Sequence, residues 1–361
     1  MIELKNIELA VEGFSLKVDH TFEAKKMHVV LGPSGSGKTV LLEIIAGLLK
    51  PDAGQVILDK NDVSKFLPED RLMGYLPQDN TLFPHLNVLD NILFGLRVQK
   101  REVDDEAIMK ICDRLKVSHI LARSTDKLSG GEIQRIALAR SIVTGNNVLL
   151  LDEPTSSLNQ SLKMDICHLL LEIQEEFGLT VIMVTHDMES AFMLGQSLVF
   201  LINGVVEQTC ENVLDGIQPS NLVVAEFMGF RNVFHGRVYH RPNGVYIECI
   251  ELKTEILVRH ESGLNFSQGE SVCFGLSPKD VRVILIGHEI DYLEASNRLV
   301  CNVLQTFNKG ATLSIQMKTQ NSNVIIESDF PITKRAKIKI EKGAEIEVIL
   351  HSRQILVWPM V

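Results

Sequence analysis

The chain has 361 residues, more than one hydrophobic core serves comfortably, so at least two domains are expected. With 45% hydrophobic and 23% charged residues it is globular in composition, and a formal net charge of −10 excludes a broad cationic surface for nonspecific nucleic-acid binding. No apolar run approaches the ~20 residues of a membrane-spanning helix, and the opening Met1 to Lys5 is not a secretory signal.

From the start to about Met228, short β-branched runs alternate with amphipathic stretches. Phe14, Leu16 and Val18 alternate along one such run, which makes Phe14 a core residue. Met27 to Leu31 reads as a strand, and Lys38 to Leu49 as a helix with an apolar face. Further strands are expected at Gln55 to Leu58, Val148 to Leu151, Val181 to Val184 and Leu198 to Ile202, with a helix over Leu162 to Glu176. Such alternation predicts a largely parallel sheet covered by helices. After Gly229 the long helical periodicity ends. Short alternating strands follow, with turn signals at Pro242-Asn243-Gly244 and Asn308-Lys309-Gly310.

A domain boundary is therefore expected near residue 230, giving domains 1–229 and 230–361. The second half carries a weak internal repeat. Asn232, Phe234 and Val238 share their spacing with Asn297, Leu299 and Val303, 65 residues on. Gly269, Val272, Leu276 and Val283 match Gly343, Ile346, Leu350 and Val357 at an offset of 74. Two small barrels, over 230–290 and 296–361, are the expectation. The cysteines at 112, 167, 210, 249, 273 and 301 include no CxxC pair and read as reduced thiols packed as small hydrophobes.

Gly32-Pro33-Ser34-Gly35-Ser36-Gly37-Lys38-Thr39 satisfies GxxxxGK[ST], after an apolar strand and before an apolar-faced helix. Its glycines let backbone N–H groups turn inward around phosphate oxygens, and the helix N-terminus adds partial positive charge. Lys38 is expected at the β- and γ-phosphates, and Thr39 on Mg²⁺. The run Val148 to Leu151 ends in Asp152 and Glu153. Asp152 is placed to hold Mg²⁺ through its water shell, and Glu153 to polarise the attacking water.

Leu128-Ser129-Gly130-Gly131-Glu132-Ile133-Gln134-Arg135 resembles the LSGGQ signature of the ABC ATPases, with Glu132 in place of the commoner Gln. Ser129 reads as a helix N-cap, with Gly130 and Gly131 baring the backbone behind it. The resemblance implies that Ser129, Gly130, Gly131 and Glu132 meet the γ-phosphate bound to a second copy, sandwiching ATP in a homodimer. It also implies a Q-loop role for Gln78, sensing Mg²⁺ and the permease, and a switch role for His186 at the γ-phosphate. Ser156 to Asn159 stands at the D-loop position, with Asn159 where the family usually has Asp. Phe14 is the nearest aromatic for stacking on adenine, but its alternation reads it as core, so adenine is left unassigned.

Leu76 to Gly95 is similar to importer ATPases that serve solute-binding proteins. Phe230 to Val238 and Gly275 to Val281 resemble their C-terminal oligomer-binding-like domain, with Ser277 replacing an Arg. The fold implied is an α/β nucleotide-binding domain with a helical subdomain, then a β-rich OB-like domain. The partners implied are a second ATPase subunit, an integral membrane permease and, indirectly, a solute-binding protein, with no nucleic acid. The protein would sit peripherally on the cytoplasmic face of the membrane. The late repeat and Ile332 to Arg335 look most like molybdate and tungstate importers, although Glu294 to Asn297 lacks their usual Ser and Arg. Sulfate, ferric iron, polyamine and sugar importers stay open, as does a non-transport ABC ATPase. Two readings stand for residues 230–361: a module that only stabilises the dimer, and one that binds a regulatory oxyanion through Thr333, Lys334 and nearby backbone N–H groups, with Ser296 a weaker donor where the family has Arg.

Overall fold

The structure is a computed structural model that describes residues 1–156, 158–211, 213, 216–261, 265–284, 297–332 and 340–360. Ser157, Ser296, Thr333 and Lys334, all singled out above, lie outside the described residues. The chain divides into Met1–Gln218 and Pro219–Val361. None of the described helices is long and apolar enough to cross a membrane.

In the first unit the strands are β1 (Ile2–Val11), β2 (Phe14–Phe22), β3 (Met27–Leu31), β4 (Ala53–Leu58) and β5 (Asn61–Asp62), then β6 (Gly74–Leu76), β7 (Val148–Asp152), β8 (Thr180–Thr185), β9 (Ser197–Ile202) and β10 (Val205–Cys210). They form one sheet in the order β5-β4-β1-β2-β10-β9-β3-β8-β7-β6. The pairs β6–β7, β7–β8, β8–β3 and β3–β9 are parallel. Every residue of β3, β7, β8 and β9 is buried, as a parallel sheet covered on both faces requires. The other half is antiparallel, through β1–β2, β1–β4 and β4–β5. The run containing Gln55 to Leu58 is thus a strand, but it belongs to this antiparallel half.

Helices α1 (Lys38–Ala46), α2 (Val88–Val98), α3 (Asp105–Arg114), α4 (Gly130–Ile142), α5 (Gln160–Phe177) and α6 (Met188–Leu194) complete the unit. Of these, α2 packs on α4 and α3 also meets α4, which makes the helical subdomain. Arg71 is 3% exposed and donates to the Ile44 and Ile45 carbonyls at 2.8 and 2.7 Å. It closes the C-terminal end of α1 with a cation, where orphan carbonyls and the helix dipole favour one. The N-terminal end of α1, at the glycine loop, is thereby held from behind.

Near one end of β2 and β3, the rings of His20 and His28 flank Phe22 with centroids 4.6 and 5.3 Å from it. Burial is the main force lowering both imidazole pKa values. The neighbouring charges Asp19, Glu211 and Glu23 oppose it, while Lys26 adds to the effect on His28. The unfolded chain therefore takes up these protons first as pH falls. Their contribution is fully present above a pH of about 6.5 and is lost progressively below it. Melting temperature should fall between pH 7.5 and 5.5, and His28→Gln should flatten that slope; equal slopes would remove His28 from the account.

The second unit opens with α7 (Leu222–Phe227), whose Ala225 is buried with Leu356 and Trp358. Its strands are β11 (Asn232–Arg241), β12 (Gly244–Cys249), β13 (Thr254–Val258), β14 (Ser271–Leu276) and β15 (Val281–Ile284), then β16 (Arg298–Asn308), β17 (Thr312–Thr319), β18 (Ile325–Pro331), β19 (Glu345–Leu350) and β20 (Leu356–Pro359). One sheet runs β13-β12-β11-β14-β20 and the other β15-β19-β16-β17-β18. Each repeat gives its last strand to the other: β15 pairs with β19, and β20 returns to β14. One apolar core collects residues from both sheets, Phe274 and Val272 beside Ile346 and Val348. The offsets reappear in the register. Asn232 pairs with Leu276. Moving the first by 65 and the second by 74 gives Asn297 and Leu350, and the Leu350 N–H donates to the Asn297 carbonyl at 3.1 Å.

Candidate nucleotide site

The glycine loop joins β3 to α1, and two of its glycines are required by close approach. A Cβ on Gly32 would lie 2.0 Å from the Leu201 carbonyl oxygen, so the loop can leave β3 against β9 only without a side chain. Gly37 has φ +96°, a left-handed conformation that suits glycine, and a Cβ there would meet Phe14 Cζ at 2.5 Å. Lys38 is 7% exposed, and its ammonium donates to the Gly32 and Pro33 carbonyls at 2.9 Å each. Burial pushes its pKa down, against the pull of Glu153 and Asp152. A phosphate beside it would favour the charged form that burial penalises.

At the end of β7, Asp152 is 2% exposed and accepts from Thr39 Oγ1 at 3.1 Å. Burial raises the Asp152 pKa, partly offset by that hydrogen bond, so a carboxylate here is short of positive charge. Glu153 follows with φ +49°, a left-handed backbone unusual for a residue with a side chain. Its N–H donates to the Val184 carbonyl at 3.0 Å, and Ser156 donates to its carbonyl through N–H and hydroxyl. This anchoring turns the Glu153 carboxylate toward His186, whose Nδ1 lies 2.7 Å from Oε1. His186 itself stands between β8 and α6, where Asp187 caps the helix by accepting from Ser190 N–H at 2.9 Å.

Lys38, Thr39, Gln78, Glu153 and His186 share one cleft of about 360 Å³ with Ser34, Gly35 and Gly37. Phe14 also lines it. The alternation argument made Phe14 a core residue; it does pack against the apolar cluster, but it is only half-buried and its ring forms part of the cleft wall. The signature residues are not in this cleft. Ser129 caps α4, and Ser129 with Glu132 forms a reciprocal capping box. A Cβ on Gly130 would meet nothing within 4 Å, so the backbone there faces open space.

A family model described as ABC transporter matches residues 16–156. The molybdate/tungstate import ATP-binding protein WtpC of Pyrococcus horikoshii is 31% identical over 363 residues, spanning 99% of this chain and 100% of that one. The chain belongs to the ATP-binding proteins of ABC transporters. As a member it binds ATP and hydrolyses it. The spermidine/putrescine import ATP-binding protein PotA of Lawsonia intracellularis is 32% identical over 96% of this chain and 94% of its own. Among solved structures, the ABC cassette MJ0796, described as a dimeric post-hydrolysis state bound to ADP and Pi, matches with a TM-score of 0.53. It is 28% identical and covers 58% of this chain and 98% of its own.

Within this ABC protein, Asn159, at the D-loop position, caps α5: its side chain accepts from Leu162 N–H at 3.0 Å. Sequence reasoning missed Asn91, a fully buried residue of α2. Its amide accepts from Phe83 N–H at 2.7 Å and donates to the Phe83, Leu86 and Asn87 carbonyls. The only signal was a polar residue on the apolar face of a helix. Its effect is to shape the Phe83 loop, where the Phe83 ring packs tilted at 38° against the exposed Phe94 at 4.3 Å, with the Arg140 guanidinium carbon 5.1 Å from the Phe83 ring centroid.

Proposed function

We propose that this chain is the ATP-hydrolysing subunit of an importer for an oxyanion such as molybdate or tungstate. It would act as a homodimer on the cytoplasmic face of the membrane, beneath a separate permease supplied by a solute-binding protein. The observation that carries the solute is similarity to the molybdate/tungstate import protein along both units, 99% of this chain and 100% of that relative. A polyamine importer is the second reading, favoured by the nearly complete match to PotA.

In this reading the glycine-loop N–H groups and Lys38 hold the β- and γ-phosphates, and Phe14 offers its face to adenine. Thr39 and Asp152, with Gln78 on the same cleft, form a hard oxygen-donor set that fits Mg²⁺, and the buried Asp152 gains most from a cation. Bound there, Mg²⁺ would neutralise charge on the β- and γ-oxygens. Glu153 accepts a proton from the attacking water, and His186 fixes the orientation of that carboxylate. Ser129, Gly130 and Gly131 of the second copy complete the site. Binding of a regulatory oxyanion by the second unit would rest on Thr333 and Lys334, outside the described residues, with Ser296, also outside them, a weaker donor.

The Phe83 loop is proposed as the permease contact. Phe83→Ala should cut ATP-driven molybdate uptake in vesicles holding the permease at least tenfold, with basal hydrolysis within about twofold of wild type. Equal loss of uptake, hydrolysis and melting temperature would make Phe83 a packing residue and sink the contact. Uptake of spermidine but not molybdate by the wild-type assembly would select the polyamine reading.

A further inference from the structure

The signature bears a feature that its sandwich role does not use. Ser129 donates twice to one oxygen of Glu132: its N–H to Oε2 at 2.7 Å and its hydroxyl to the same Oε2 at 2.7 Å. Glu132 N–H returns a bond to Ser129 Oγ at 3.3 Å. Both bonds to Oε2 are short and charge-assisted, the strong class. They lower the Glu132 pKa, with smaller help from Arg123 and His119. Arg123 is the nearest countercharge, yet its guanidinium is 3.8 Å from the carboxylate and well exposed, so it compensates weakly. The anion that Ser129 serves in this structure is therefore one supplied by its own helix.

We propose that Glu132 is a positioning residue that acts through Ser129 to hold back ATP-driven dimer closure. The inference rests on the reading that Ser129 meets the γ-phosphate bound to the second copy. For that contact to form, Ser129 must exchange a carboxylate for a phosphate oxygen, and the displaced carboxylate remains beside an incoming polyanion. The Ser129 contact thus contributes less to closure than it would opposite a neutral side chain. The open backbone at Gly130 gives the second copy access, so the occupied donors, not crowding, are the obstacle. Closure then demands higher ATP or a higher local concentration of subunits, such as a permease imposes by holding two of them together.

Glu132→Gln tests this because Gln keeps the length and can still accept from the Ser129 N–H, as capping boxes with Gln do. In full-length chains also carrying Glu153→Gln, the dimerisation midpoint at saturating Mg-ATP would be read by light scattering against subunit concentration. Loss of one charge-assisted exchange per site predicts a midpoint lower by about tenfold or more. Glu132→Ala, which frays the cap but frees Ser129, should also dimerise more tightly than Glu132 despite a lower melting temperature. A cap with no gating role gives the opposite pattern: Gln equal to Glu, and Ala weaker than both. That pattern overturns this inference alone. Absence of an ATP-dependent dimer in every variant overturns the sandwich reading together with it.

Discussion

Glu153→Gln should lower ATP turnover by about 10²–10⁴-fold, the range for removing a positioned general base, while ATP binding persists. Glu153 is 8% exposed, and its carboxylate oxygen lies 2.7 Å from His186 Nδ1 on the wall of the cleft. Its left-handed backbone is held by the Val184 and Ser156 bonds, which involve main-chain atoms of residue 153 only. The substitution changes none of them, and the amide matches the carboxyl in volume. Lys38, Thr39 and Asp152 keep their contacts, so phosphate binding should survive. What disappears is an oxygen able to accept a proton. Since ATP binds the folded state and is no longer consumed, saturating Mg-ATP should raise the variant's melting temperature. It should also shift the variant from monomer to dimer by light scattering. Turnover close to wild type would remove Glu153 as the base, and a monomer at saturating Mg-ATP would count against the two-chain site.

Much of this site was legible because its chemistry is concentrated in local patterns. A glycine loop between strand and helix, and an apolar run ending in two acids, each constrain a few neighbouring residues. What was not legible is what lies across a gap. Alternation put Phe14 on the same face as Leu16 and Val18, which holds. It could not say that the start of β2 lies opposite Gly37, where the ring lines a cleft. Strand patterns do not encode direction, so the antiparallel half of the first sheet was folded into a parallel reading. The roles of Arg71 and Asn91 were not legible because their partners are backbone groups, which leave no trace in sequence. In the second unit the offsets of 65 and 74 were visible, but the exchange of β15 and β20 was not, since matched apolar positions do not name the strand they pair with.

That exchange makes Asn297 the position in the second unit where a single change should cost most. It is 4% exposed and stands just before β16, yet its side chain serves a strand of the other repeat. Leu257 N–H donates to Oδ1 at 2.8 Å, and Nδ2 donates to the carbonyls of Leu257 at 2.8 Å and Leu350 at 3.0 Å. Asn232, its partner in the repeat, does the same for Glu327, with bonds of 2.8 and 2.9 Å. Asn297→Ala leaves buried main-chain groups of β13 and β19 unpaired. At about 1–3 kcal/mol for each of the three unsatisfied groups, the loss is on the order of 3–9 kcal/mol, a large share of a domain's total stability. The sole tryptophan reports on this unit alone, because Trp358 is buried and its indole N–H donates to the Pro219 carbonyl at 3.0 Å. Urea unfolding of the full chain followed by Trp358 fluorescence should therefore show an early transition in the variant. ATP-dependent protection of the first unit should survive it. A fluorescence transition within about 0.5 kcal/mol of wild type, the scatter of surface substitutions, would mean that the two repeats do not depend on this asparagine for their joint core.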